Sequence, residues 1–99
     1  MKGKTKKEDW IIGIGGTEED DVSMYKLTGT RYQAKREIMR IIRRDRENDK
    51  ESYNYGTENI KEIEERGDGS LYGYNCFSDY HIDYAARPLN LLKDSKEVA

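Results

Sequence analysis

The stretch Leu71-Tyr72-Gly73-Tyr74-Asn75-Cys76-Phe77-Ser78-Asp79-Tyr80-His81-Ile82-Asp83-Tyr84-Ala85-Ala86 decides how this chain folds. Two tyrosine-rich runs, 70–77 and 80–86, flank Ser78-Asp79, and aromatic side chains favour the pleated, half-buried surface of a strand. A two- or four-residue loop at Ser78-Asp79 pairs Phe77 with Tyr80, Asn75 with Ile82, Gly73 with Tyr84 and Leu71 with Ala86. Side chains alternate across a strand, so all of these residues share one face. Tyr84 over Gly73 is the aromatic cover often given to a strand glycine. This face is expected to be the core. The opposite face then holds Tyr72, Tyr74 and Cys76, opposed by Ala85, Asp83 and His81.

What covers the first face lies upstream. Thr30 precedes Gln33 by three residues, the spacing of a capping box in which each side chain satisfies the other's backbone amide. From Arg31 to about Glu47, Ala34, Ile38, Ile41 and Ile42 recur at i, i+4, i+7 and i+8, one stripe of an α-helix. The spacing predicts a helix whose isoleucines pack over Phe77, Tyr80, Ile82 and Tyr84.

Trp10–Ile14 is a short apolar run, and Gly13, Gly15 and Gly16 predict that it ends in a turn. Glu18–Asp21 reads as a solvated acidic loop, and Val22–Thr28 resumes a strand pattern, so a first hairpin is expected. Asn48–Asn59 is polar and aperiodic, which makes it a loop. Residues 60–66 carry two signals. Ile60 and Ile63 are spaced for a helical turn, while the following Gly67-Asp68-Gly69 is a hairpin signal that makes the segment a strand. Pro88 ends the last strand or sits on a sheet edge, and Leu89–Leu92 is expected to tuck against the body. The predicted class is α+β in the order β-β-α-β-β-β, an antiparallel sheet with one main helix packed on one face. The expected organisation is a flexible basic tail over 1–9, a single domain over 10–92 and a polar tail over 93–99.

Ninety-nine residues suit one domain. Hydrophobic residues make up 34% and charged residues 38%, so the core is thin and leans on the tyrosines. Eighteen basic residues nearly cancel twenty acidic ones; low hydrophobicity without high net charge does not predict disorder. Cys76 is the single cysteine, which excludes an intrachain disulfide and a cysteine-based zinc site. Trp10–Ile14 is too short for a signal-peptide core or a membrane span, so no membrane association and a cytoplasmic location are expected.

The run Asp68-Gly69-Ser70-Leu71-Tyr72-Gly73-Tyr74, continuing to Asp79-Tyr80-His81-Ile82-Asp83-Tyr84, and the helix entry Leu27-Thr28-Gly29-Thr30 carry a resemblance. Over most of residues 22–86 the chain resembles a group of short, uncharacterised proteins of Gram-positive bacteria, gut species among them. No activity, cofactor or catalytic residue is known for that group, so the resemblance implies no mechanism.

The residues themselves offer several candidates. A three-residue loop at Gly67-Asp68-Gly69 would set Glu64 beside Tyr72 and Glu62 beside Tyr74, giving, with Asp83, a tyrosine patch ringed by carboxylates. Tyrosine brings large contact area at low rotamer cost and is enriched in binding surfaces; it also simply favours strands. Cys76 opposite His81, with Asp83 beyond, has the residue types of a nucleophile, base and orienter, but an open sheet supplies no oxyanion hole. Asp79, His81 and Asp83 alternate along a strand, yet tight metal sites converge ligands from several elements. Gly13-Ile14-Gly15-Gly16 matches no phosphate-binding pattern. Residues 31–47 hold seven basic and three acidic side chains, a net of +4, and 48–69 reverse this to −4. Arg36, Arg40 and Arg43, flanked by Arg44, lie opposite the isoleucine stripe as a phosphate-contacting face, or as a solvated face paired with the acidic segment. The expected function is that of a non-catalytic protein-interaction domain, a small regulatory or inhibitory protein using the tyrosine-carboxylate face. Nucleic-acid binding through the arginine face is the alternative, and a Cys/His-dependent enzyme a remote one. No metal and no cofactor are expected.

Overall fold

The capping box at Thr30 forms: its hydroxyl oxygen accepts from the Gln33 amide at 3.1 Å, and the Gln33 side chain accepts from the Thr30 amide at 2.8 Å. It starts helix α1, Arg31–Asn48. In this computed structural model, which describes residues 6–16 and 23–89, Ala34, Ile38, Met39, Ile41 and Ile42 of α1 are buried. The strands are β1 (Glu8–Gly16), β2 (Ser23–Gly29), β3 (Tyr53–Gly56), β4 (Glu64–Glu65), β5 (Leu71–Phe77) and β6 (His81–Pro88). They form one antiparallel sheet in the order β2-β1-β6-β5-β3, with β4 also paired to β5. The fold is α+β, with one helix on one face of the sheet.

The β5–β6 register is the one that an even-length loop demands: Leu71 faces Ala86, Gly73 faces Tyr84 and Asn75 faces Ile82. Trp10, Ile12, Leu71, Tyr84 and Ala86 close the core against the α1 stripe. Gly73 lets the helix approach closely there: a Cβ would meet Ile42 Cδ1 at 3.0 Å, and the isoleucine would have to give way. The core also encloses a polar chain. Fully buried Asn75 donates to the Ile42 carbonyl and to the Tyr84 hydroxyl, accepts from Arg46, and Tyr84 in turn donates to Asp45. The Asn75 amide and the Tyr84 hydroxyl are thereby paired, as burial demands, whereas the buried Nε of Arg46 has no hydrogen-bond partner among the described residues. Tyr80 and Ile82, expected to be buried, are only half-buried. They sit where the hairpin runs past the covering helix, and Tyr80 stacks on buried Phe77 and donates to Asp49.

Three further expectations are corrected. Gly13–Gly16 is strand, not turn: β1 continues to Gly16 because β6 pairs with it along this whole length. The expected loop 48–59 contains β3, which adds to the free edge of β5. Residues 60–66 hold a 3₁₀ turn over Ile60–Glu62 and then the two-residue β4, so both of their signals were real. The acidic loop Glu18–Asp21, the terminal lysines Lys2 and Lys4, and residues 90–99 lie outside the described residues; Glu8 and Asp9, within the expected tail, belong to β1.

Candidate functional site

The sheet face turned away from α1 carries Ile11 and Gly13 of β1, Met24 and Lys26 of β2, Asp83, Ala85 and Arg87 of β6, and Tyr72, Tyr74 and Cys76 of β5. Cross-strand pairing aligns Met24, Gly13, Ala85 and Tyr72 in one row across four strands. Ile11, Gly13, Met24, Ala85 and Arg87 line a shallow trough of about 280 Å³. Beside it the tyrosines hold one another. Tyr72 and Tyr74 stack with ring centroids 6.2 Å apart, Tyr55 meets Tyr74 edge-on, and the Arg66 guanidinium lies 4.5 Å over Tyr72. The Tyr72 hydroxyl donates to Asp83. Burial, followed by this carboxylate, pushes the Tyr72 pKa up.

The predicted patch is therefore present with two changes. Glu64 does stand beside Tyr72 and Asp83 beside Tyr74, but Glu62 does not reach Tyr74. The 3₁₀ turn, capped by Asn59, turns Glu62 back to accept from the Glu58 amide, and Tyr55 of β3 takes the place beside Tyr74. The rim is also mixed in charge, since Arg66 pairs with Glu64 at 3.4 Å and Lys26 with Asp9 at 3.8 Å. Tyr72 and Tyr74 are half-buried rather than open. Tyr55, 60% exposed, was missed because its segment shows no alternation.

Cys76 and His81 are cross-strand partners, and His81 Nε2 lies 3.3 Å from Asp83. Asp83 thus serves both His81 and Tyr72. Contact with Cys76 raises the pKa of Tyr55. Cys76 is in register with Tyr55 on one side and His81 on the other. A strand flanked on both sides commits its amides to the ladder, where they cannot be aimed at an oxyanion. Asp79, His81 and Asp83 do not converge: among the described residues no group of three His, Cys, Asp or Glu side chains is placed to hold a metal.

The arginine face divides in two. Arg40 makes a bidentate pair with Glu37, and Arg44 donates through Nε and Nη2 to the single oxygen Oδ1 of Asp45. The bond from Arg40, with a smaller one from Tyr25, holds Glu37 below the usual carboxylate range. Arg36 and Arg43 are exposed, with no ion pair among the described residues. The acidic segment pairs with other cations: Glu65 with Lys35 and Arg31, and Glu58 with Arg46. Among the described residues no helix is long and apolar enough to cross a membrane. No family model, curated protein or solved structure matches this chain.

Proposed function

We propose that this chain is a non-catalytic protein-interaction domain, of the kind that serves as a small regulatory or inhibitory protein, and that its partner docks on the uncovered sheet face. The observation that carries this reading is the pre-packed aromatic row Tyr72, Tyr74 and Tyr55, fixed by Asp83 and Arg66 beside an apolar trough. Rings already held in place lose little freedom on binding, so more of their contact energy appears as affinity.

Gly13 supports the same reading. Its φ is not in the left-handed region, and a Cβ there would meet nothing closer than Met24 at 3.9 Å. The fold itself does not require glycine at this position. A strand glycine commonly marks the close approach of another backbone or ligand, and here that approach comes from outside the sheet.

Affinity capture from the cells that make the protein tests the reading. A protein partner should survive nuclease treatment, bind the native chain, and be lost from Tyr72→Ala/Tyr74→Ala and from Gly13→Val. Equal capture by the native chain and both variants would overturn it.

A further inference from the structure

We infer that the outward side of α1 is a second, independent surface that contacts the phosphate backbone of a nucleic-acid duplex through Arg36 and Arg43. The fold has already used most of the cations of this helix. Arg31, Lys35 and Arg46 are drawn to the acidic 3₁₀–β4 segment, and Arg40 and Arg44 to carboxylates of α1 itself. Glu58 and Glu65 thus neutralise the flanks of the helix, while its outward ridge keeps Arg36 and Arg43 exposed, near Glu37 and Glu47.

Arg36, Arg40 and Arg43 line a surface hollow of about 470 Å³ together with Gln33 and Glu37. Arg43 also borders a second hollow of about 420 Å³, with Arg46, Glu47, Lys50 and Tyr53. The two hollows meet at Arg43 and form a track along the helix. Arg36 and Arg43 are seven residues apart, about 10 Å at the rise of an α-helix. Phosphates follow one another at about 3.4 Å per strand along a duplex axis, so the two guanidiniums span roughly three phosphate steps.

The chemistry selects this partner over others. Guanidinium forks match phosphate oxygens two at a time. Tyr53 is the one ring among the residues lining the track, which has no row of apolar side chains to enter a lipid surface. Single strands are held by stacking successive bases on aromatic side chains. Here the tyrosine row lies on the opposite side of the sheet, Tyr32 stands alone at the start of the helix, and Tyr53 is already covered by the Arg46 guanidinium at 4.3 Å. With so few free cations, the contact is weak and independent of sequence.

The test is the salt dependence of binding to short labelled duplexes. Affinity should fall with salt, and Arg36→Ala/Arg43→Ala should flatten the log–log slope by about 1.8, at about 0.9 for each contact removed. Arg36→Lys/Arg43→Lys should keep the slope while weakening binding. Both positions are exposed, so the melting temperature of each variant should match that of the native chain. Tyr72→Ala/Tyr74→Ala, which probes the other face, should leave duplex binding unchanged. Four results would each overturn the inference: no duplex binding at the lowest salt, an unaltered slope in the alanine variant, loss of duplex binding in the tyrosine variant, or tighter binding to single strands, anionic vesicles or polyglutamate.

Discussion

The two faces of the sheet are built from the same tyrosine-rich hairpin and end in opposite states. On the covered face Tyr84 is sealed, its ring on isoleucine and its hydroxyl in a chain with Asp45 and Asn75. On the open face Tyr72 and Tyr74 stay half-wet and lean on each other, on Arg66 and on Asp83. One residue of register separates the two fates. A tyrosine becomes a core residue where a buried amide and carboxylate await its hydroxyl, and a surface anchor where only its neighbours hold it.

Alkali should produce the largest effect, because it attacks both faces together. Burial and Glu37 raise Tyr25 to about 12, burial and Glu58 raise Tyr53 to about 12, and Asp49 with burial raises Tyr80 to about 12. Tyr72 and Tyr84 are raised as well, by burial first and then by Asp83 and Asp45. A group whose folded pKa lies above its unfolded value stabilises the protein below the unfolded pKa and stops doing so as pH rises through the folded one. Stability should therefore fall steeply from pH 10 to above pH 12, with tyrosinate absorbance rising late and together with the loss of circular dichroism. Tyrosinate appearing near its ordinary pH, with the fold intact, would contradict the pairings.

On the covered face, Tyr84→Ala should cost about 3–5 kcal/mol and Ile41→Ala about 2–5 kcal/mol, both read from denaturant melts. Tyr84→Phe isolates the polar chain: it keeps the ring but leaves Asn75 and Asp45 short of a partner, at a cost of about 1–3 kcal/mol. On the open face, Tyr72→Ala should cost only about 1 kcal/mol, the worth of an aromatic contact. A cost as large as that of Tyr84→Ala would erase the distinction between the faces. Gly13→Ala should show the smallest effect and the opposite sign, raising stability by about 0.4–1 kcal/mol.

The legible parts of this molecule were those fixed over short distances in the chain. The Thr30–Gln33 cap, the isoleucine stripe and the Ser78-Asp79 hairpin each follow from a period or a loop length, and the hairpin register carried Tyr72, Tyr74 and Asp83 onto one face with it. β3 was not legible, because Tyr53-Asn54-Tyr55-Gly56 becomes a strand only by pairing with β5. Its one local sign is Gly56, where a Cβ would meet the Tyr74 carbonyl at 2.6 Å. Glu62 was misplaced because the Asn59 cap closes a 3₁₀ turn that a hairpin reading overlooks. The division of the arginine face was partly written in the sequence: Glu37 stands three residues before Arg40, and Asp45 adjoins Arg44. That Arg46 would turn inward to Asn75 depends on contacts far apart in the chain.

Tyrosine hydroxyls bond to acids throughout: Tyr25 to Glu37, Tyr53 to Glu58, Tyr72 to Asp83, Tyr80 to Asp49 and Tyr84 to Asp45. In each of these bonds only one partner is charged. Mobile ions weaken the attraction between two opposite charges far more than a short bond from a neutral hydroxyl to a carboxylate. Much of this protein's polar scaffold is thus indifferent to brine, whereas a contact made by Arg36 and Arg43 is not. Concentrated salt should strip whatever rests on the helix and leave the folded domain standing.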